Sequence, residues 1–282
     1  MNCPIVSWRP LIWLNILCLD APIVAISWQW LFTRVFRVPV PLGAREALFL
    51  TAWVIYLVDR LATSISLPAN VPKAAREEFC FNHKNVWVGL IAVGALLDAE
   101  VIFTGIERET FVLGLFLGVL ATAYLVTNHA LSRLWRAISL KEVIIGFLFA
   151  AGTLLALSSQ LSLTRSTIAL TALLFASLCT LNCVSIAVWE RDLDRAQGRY
   201  SIATRWPQMK LYARVASFIL AAASGVLILF DRRLWPIAVC LGVSAILLAA
   251  LHFVSIARDE RTALADMVLL TPLVLMFSGK IV

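Results

Sequence analysis

Charged residues are scarce in this chain: they make up 15% of its 282 residues, whereas hydrophobic residues make up 61%. The mean hydropathy is +0.88, far above the range of soluble globular domains. The six cysteines show neither the spacing of a metal site nor that of a disulfide framework. These shortages argue against a soluble domain, a zinc-binding module and a disulfide-rich scaffold.

The apolar residues are arranged in nine runs, each about as long as a bilayer-crossing helix of roughly 20 residues. The runs cover 10–32, 43–63, 86–105, 110–129, 142–160, 168–188, 212–230, 234–256 and 263–280. They lack the alternation of a transmembrane barrel strand, so helices are expected. The first run is too long for a signal peptide and lacks a cleavage site. The sequence therefore predicts an all-α integral membrane protein with about nine transmembrane helices.

The distribution of basic residues predicts the orientation in the membrane. If the N-terminus is cytoplasmic, 16 of the 24 Lys and Arg residues fall on the cytoplasmic side, as the positive-inside rule requires. The net charge of +7 is then explained by topology. We therefore expect a lipid bilayer as the partner of this chain and no nucleic acid.

The most polar segment inside an otherwise apolar region is Glu190 to Gly198. In a helix, Glu190 and Asp194 lie one turn apart on the same face, and Asp192 lies on roughly the opposite face. Two carboxylates on one face repel each other unless a cation lies between them. Either neighbouring arginines supply that cation in a solvated loop, or a bound magnesium ion does so in an active site.

A similar acidic-basic pair occurs in the first half of the chain. Asp59-Arg60 closes the second apolar run, and Asp194-Arg195 follows the sixth, 135 residues later. The fifth run starts 132 residues after the first, which is nearly the same separation. We interpret the chain as a single domain over 1–282, with four-helix halves at 10–129 and 142–256 and a ninth helix at 263–280. Such repeats commonly place a site between the halves, here in a central cavity open to the cytoplasm.

At these two loops the chain resembles the UbiA superfamily of intramembrane prenyltransferases. That family follows its sixth span with two acidic residues at DxxxD spacing, a glycine and a Thr/Ser-Leu-Ala-like tail. Glu190, Asp194, Gly198 and Ser201-Ile202-Ala203 stand in these places. The beginning of the chain is similar to that of bacterial members, in Arg9, Pro10, Trp13, Asn15, Leu17, Ala21 and Pro22. The resemblance covers the whole chain and implies a bacterial inner-membrane protein.

The first acidic motif of the family is only partly present. Of its four polar positions only Asp59 remains, because Ile55, Tyr56 and Thr63 occupy the others. The resemblance implies that Asp59, Glu190 and Asp194 are catalytic and hold magnesium, as a single ion in view of the missing carboxylates. It also implies that the substrate-binding residues are Arg60, Arg76, Tyr124, Asn128, Lys141, Asn182 and Arg195.

The implied reaction is transfer of a prenyl group from an isoprenoid diphosphate to a lipophilic or aromatic acceptor. Magnesium would neutralise the leaving diphosphate as the carbon–oxygen bond stretches. Two alternatives remain at this point. The missing carboxylates fit a non-catalytic relative that binds an isoprenoid or a lipid. The repeat and the intramembrane Asp20 fit a transporter.

Overall fold

The computed structural model describes residues 10–68, 70–130, 140–158 and 166–278, and the regular secondary structure of these residues is helical. Arg9 of the opening motif lies outside the described residues. The helices are α1 (Pro10–Ile16), α2 (Asp20–Phe36), α3 (Leu42–Ser66), α4 (Ala75–Asn82), α5 (Lys84–Gly105), α6 (Arg108–Ala130), α7 (Lys141–Ser158), α8 (Ser166–Trp189), α9 (Arg191–Ala196), α10 (Ile202–Arg205), α11 (Met209–Phe230), α12 (Trp235–Leu251), α13 (Arg258–Met267) and α14 (Thr271–Ser278). A short 3-10 turn, Arg232–Leu234, precedes α12.

Within the described part of the chain, six helices are long and apolar enough to cross a membrane: α3, α5, α6, α8, α11 and α12. A seventh span results if α13 and α14, which are bent by 47° relative to each other, count as one. Their outer surfaces carry large apolar side chains, such as Phe103, Leu229 and Phe277, that are mostly exposed. Apolar surface on this scale is typical of contact with lipid. The structure is therefore that of a helical membrane protein, while nine spans, their orientation and the two halves remain predictions.

The prediction of one continuous span over 10–32 is wrong. Helix α1 ends at Ile16 and α2 begins at Asp20, with Cys18 in the left-handed region at φ 57°. Across this break the amide of Asn15 donates to Asp20 Oδ2 at 2.6 Å. Asp20 therefore lies in the first turn of α2, and not in the middle of a long helix.

An aromatic cluster fixes α2 in the interior. Trp28 is fully buried and packs against Phe175 of α8, with 4.7 Å between ring centroids. A buried indole N–H needs an acceptor, and Trp28 Nε1 donates to the carbonyl oxygen of Leu269 at 2.8 Å. Because Leu269 lies between α13 and α14, these contacts join α2, α8 and the last helix pair around one core.

Helices α3 and α5 pack very closely where two glycines meet. A Cβ atom added to Gly43 would lie 2.6 Å from the carbonyl oxygen of Gly105. Only residues without a side chain allow the two backbones to approach this closely. The contact fixes the start of α3 beside the end of α5, and α6 continues from there to pack against α7 and α3.

Candidate functional site

A cavity of about 1020 Å³ lies among α2, α3, α5, α6, α7 and α8. Its walls are largely apolar, and most of the polar residues that the sequence singles out lie at one end of it. The predicted site residues that line it are Asp59, Arg76, Tyr124, Asn128, Lys141, Asn182, Glu190 and Asp194. Side chains from both acidic loops therefore face one space, although they are more than 130 residues apart in the chain.

The segment from Glu190 to Asp194 keeps its helical spacing although the long helix breaks there. Glu190 caps the start of α9 at φ −93° and ψ 3°, and the Asp194 N–H donates to the Glu190 carbonyl at 2.8 Å. Both side chains are buried and line the cavity. The Asp192 side chain, by contrast, is 87% exposed. The prediction that Glu190 and Asp194 share a face opposite Asp192 is confirmed.

The cation beside Glu190 comes from a distant helix. Arg76, on α4, donates through Nη2 to both carboxylate oxygens of Glu190, at 2.5 and 2.6 Å. The hydroxyl of Thr262 is a further donor at 3.3 Å. The two neighbouring arginines instead approach the exposed Asp192, each at 3.7 Å. The solvated-loop alternative is therefore wrong for Glu190.

Gly198 turns the chain back toward the cavity after α9. Its φ of +70° is left-handed, a conformation that favours glycine, and its N–H donates to the carbonyl of Arg195 at 3.1 Å. The next N–H, of Arg199, donates to the carbonyl of Asp194 at 2.8 Å. The turn returns Ser201 to the cavity wall, where its side chain is hydrogen-bonded to the carboxyl group of Asp194.

Arg199 forms a buried ion pair with Glu77 beside the cavity. Arg199 Nη1 donates to Glu77 at 2.8 Å, and Glu77 also accepts from the Gln197 amide at 2.8 Å and the Ala74 N–H at 2.9 Å. Burial alone would raise the pKa of Glu77, but Arg199 and these donors outweigh it and hold the pKa below its ordinary value. The network fixes the loop after α3 against the loop after α9.

The environment of Asp194 acts in the opposite direction. Burial disfavours its charged form and raises the pKa of this carboxyl above the ordinary value of 3.8. Lys141 and the Ser201 hydrogen bond oppose that effect without cancelling it. A buried carboxyl that is not fully compensated in the protein is one that an added cation would stabilise.

Asp59 lies on α3 at the same end of the cavity. His129 Nε2 lies 3.0 Å from Asp59 Oδ1, and the Asn128 amide donates to the same oxygen at 3.4 Å. Tyr124, one turn before Asn128 on α6, lines the cavity as well. The first acidic motif thus places one carboxylate in the cavity, with polar partners from α6.

Two predicted substrate-binding residues do not line the cavity. Arg60 faces away from it and is hydrogen-bonded to the thiol of Cys18 at the break between α1 and α2. Arg195 is half exposed and lies beside Asp192. Helical geometry explains both cases, since each residue directly follows a cavity-facing carboxylate and is rotated about 100° from it.

Asn182 belongs to a buried polar cluster at the edge of the cavity. Its amide donates to Asp266 Oδ1 at 2.7 Å, and Asn15 donates to Asp266 Oδ2 at 3.4 Å. The same Asn15 amide donates to Asp20 Oδ2 at 2.6 Å, so Asn15 links the carboxyl groups of Asp20 and Asp266. The broken first helix and the bent last pair therefore meet at two carboxyl groups.

The carboxylates do not form a metal centre by themselves. Among the residues that the structure describes, no three His, Cys, Asp or Glu side chains are grouped so that they could hold one ion. Magnesium takes about six oxygen ligands, and substrate phosphates often supply several of them. The donor set therefore fits an ion that arrives with phosphate oxygens, and does not fit an ion held by protein groups alone.

Sequence reasoning missed four charged residues that line the cavity: Asp98, Glu142, Arg199 and Asp266. Arg199 directly follows the glycine of the second motif, so its position in the chain was a usable signal. Glu142 opens α7 and accepts from the Ile202 N–H at 3.2 Å. Asp266 carries no signal in the sequence, since its partners lie 84 and 251 residues away.

The cavity also reaches the lipid-facing surface. Phe103 of α5 and Leu115 of α6 line it, yet they are 78% and 60% exposed. Residues that belong both to the cavity wall and to the outer surface mark an opening. This opening lies between α5 and α6, which follow each other in the chain but pack mainly against other helices.

Comparisons with known proteins assign no family. The UbiA resemblance therefore depends on the motif residues described above and on their convergence in one cavity. The chain matches no protein-family model, no curated protein and no solved structure.

Proposed function

We propose that this protein is an intramembrane prenyltransferase that moves a prenyl group from an isoprenoid diphosphate to a lipophilic or aromatic acceptor. The observation that carries the proposal is the cavity, which has carboxylates and basic groups at one end and apolar walls elsewhere. Its volume of about 1020 Å³ is at the upper limit of the roughly 300–1,000 Å³ typical of ligand pockets, so it has room for two substrates.

The charge of the cavity supports a requirement for magnesium. Among the described residues, six that bear carboxyl groups line it (Asp59, Asp98, Glu142, Glu190, Asp194 and Asp266), against three strongly basic ones (Arg76, Lys141 and Arg199). A diphosphate would be repelled by this excess of acid unless a cation accompanied it. Bound with the substrate, magnesium would supply the positive charge that stabilises the departing diphosphate.

The residues of the chain have separate roles in this proposal. Asp59 and Asp194 would offer oxygens to the cation, and Glu190, which is paired with Arg76 in this structure, would join them if Arg76 bound the phosphate instead. Lys141 and Arg199 bind phosphate oxygens directly. The apolar walls hold the prenyl chain and exclude water from the carbon that becomes cationic. In the reaction the bond between that carbon and the diphosphate oxygen breaks. The acceptor then bonds to this carbon and releases a proton.

We place the charged end of the cavity at the cytoplasmic face of a bacterial inner membrane, with the N-terminus also cytoplasmic. This orientation is supported by the excess of basic residues on that side. Diphosphate substrates made in the cytoplasm would then reach the carboxylates from water, while their tails enter the apolar part.

The proposal is tested by measuring diphosphate release from farnesyl and geranylgeranyl diphosphates over a panel of acceptors. Release is expected with magnesium and should disappear with EDTA. Asp194→Asn should abolish it, because a carboxylate that faces the substrate is lost. Asp192→Asn is the matched control, since that side chain is 87% exposed on the same helix. Equal activities of the two variants would refute the site.

A second candidate function is binding of an isoprenoid diphosphate or lipid without turnover. It is favoured by the ion pair that occupies Glu190 and by the absence of a three-ligand metal group among the described residues. Tight binding of the diphosphates without release would support it.

Transport is a third candidate, because broken helices meet at Asp20 and Asp266, an arrangement found at transporter sites. It would require solute flux in vesicles that Asp20→Asn abolishes. Absence of such flux from reconstituted, correctly folded protein would remove this candidate.

A further inference from the structure

The part of the cavity away from Asp59 contains polar side chains whose atoms lack hydrogen-bond partners. Gln29 of α2 is 1% exposed, and among the described residues neither its Nε2 nor its Oε1 has a partner. Asp98 of α5 is 9% exposed; its Oδ2 accepts from the Thr51 hydroxyl at 2.8 Å, but its Oδ1 has no partner. All three side chains line the cavity.

The helix geometry places these groups at nearly the same depth. Gln29 lies seven residues before the end of α2, and Thr51 lies nine residues after the start of α3. The two helices are antiparallel neighbours joined by residues 37–41, so the two side chains lie about 10 and 13 Å below that connection. Asp59 lies eight residues further along α3, or about 12 Å deeper. The group is thus separate from the carboxylate end.

Unpaired polar atoms in this position are costly. A buried amide without a hydrogen bond loses its hydration without compensation, and most buried polar groups in proteins are therefore paired. A leucine at position 29 would avoid that cost. Gln29 and Asp98 line the cavity, so a small rotation of either side chain would let these unpaired atoms pair with an occupant.

The donors and acceptors specify the chemistry of the occupant. The amide of Gln29 offers N–H donors and a carbonyl acceptor, and Asp98 Oδ1 offers a second acceptor. A hydroxyl group satisfies both kinds, because it accepts from Nε2 while donating to an oxygen. A ketone would leave the acceptors unpaired, and an ammonium group would leave the Nε2 donors unpaired.

We propose that Gln29, Thr51 and Asp98 form a second binding subsite, which holds the hydroxyl group of an uncharged lipophilic molecule within the membrane. The surrounding wall is apolar, with Leu48 and Ile102 among its residues, so the rest of that molecule is hydrocarbon. The inference goes beyond prenyl transfer and does not require it.

The test uses four fifteen-carbon probes that differ only at the central carbon: pentadecan-8-ol, pentadecan-8-one, 8-aminopentadecane and pentadecane. Binding to the full-length protein in detergent is measured by calorimetry. The alcohol is expected to bind about tenfold more tightly than the alkane, since one satisfied buried hydrogen bond is worth roughly that factor. The ketone should fall between them, and the amine, whose charge must be stripped of water, should bind less tightly than the alcohol.

Variants then locate the preference. Gln29→Leu should remove most of the tenfold difference while leaving the melting temperature unchanged or higher. Gln208→Leu is the matched control, because Gln208 is exposed and far from the cavity lining, and it should retain the difference. Asp98→Asn, which keeps a hydrogen-bonding group, should also retain most of it.

Two results would overturn the proposal. One is equal binding of alcohol and alkane by the unmodified protein, a comparison that needs no variant to fold. The other is tighter binding of the amine than of the alcohol, which would indicate a site for cations. Since no probe carries a phosphate, failure of the prenyltransferase assay leaves this test unaffected, and a failure here leaves that assay unaffected.

Discussion

The ion pair between Arg76 and Glu190 is expected to hold α4 against the junction of α8 and α9. The two side chains are only 13% and 11% exposed, and Arg76 contacts both carboxylate oxygens of Glu190. With the charge centres about 4 Å apart and an effective dielectric constant near 20, the attraction is about 4 kcal/mol. Removing one partner leaves the other charge buried, so each single change to Met should lower the free energy of unfolding by about 3–5 kcal/mol.

The double variant separates the pair from its surroundings. Arg76→Met with Glu190→Met leaves no uncompensated charge, so it should cost far less than the sum of the two single changes. The expected coupling energy is at least about 2 kcal/mol. It is measured from equilibrium unfolding in mixed detergent micelles, followed by tryptophan fluorescence.

A matched cycle on Asp192 and Arg195 provides the control. These side chains lie 3.7 Å apart but are 87% and 51% exposed, so their coupling should stay below about 1 kcal/mol. If the coupling between Arg76 and Glu190 were no larger than this, the assignment of a buried, structure-bearing ion pair would be refuted.

Three further predictions concern other positions. Glu77→Gln should cost about 1–3 kcal/mol, because it weakens the charge-assisted hydrogen bond to Arg199, whose side chain is 27% exposed. Since the pKa of Glu77 is lowered, the stabilisation from its charge is complete above the ordinary value of 4.5 and should be lost as the pH falls below it, as pH-dependent unfolding would show. Gly43→Ala should destabilise the protein by about 1–3 kcal/mol through its clash with Gly105, whereas Gly89→Ala, which meets nothing within 4 Å, should not, as thermal unfolding would show. Asp194→Asn should stabilise the ligand-free protein by about 0.5–2 kcal/mol at neutral pH. Because the pKa of Asp194 is raised, its carboxylate destabilises the native state only as the pH rises through that pKa. In acid the Asp194 carboxyl is protonated and as uncharged as the asparagine of the variant, so the gain in stability should vanish. A gain independent of pH would contradict this explanation.

The helices themselves were predictable from the sequence, because apolar runs of membrane-crossing length leave the backbone few alternatives. The spacing of Glu190 and Asp194 was equally predictable, since it depends only on local helical geometry. The break at Cys18 was predictable only in part: Pro22 has no N–H to donate to the Cys18 carbonyl and its ring clashes with that carbonyl, but the contact of the Cys18 thiol with the Tyr56 carbonyl comes from elsewhere in the fold.

The identity of the cation beside Glu190 could not be predicted from the sequence either. Arg191 and Arg195 are adjacent to it in the chain, but the actual partner is Arg76, 114 residues away. The choice is made by the packing of α4 beside α9, which is a tertiary event. The prediction that Arg60 lines the cavity is wrong, because Arg60 directly follows Asp59 in the helix and is therefore rotated toward Cys18.

The opening that Phe103 and Leu115 mark between α5 and α6 has a consequence for binding measurements. A molecule that enters there comes from the bilayer, so the quantity that governs its binding is its mole fraction in lipid and not its concentration in water. Adding empty vesicles or detergent would then dilute a lipophilic ligand within the lipid phase and weaken its apparent binding, while the total amount in the tube stays constant. Affinities of such ligands for this protein are therefore comparable between preparations only at a fixed ratio of ligand to lipid.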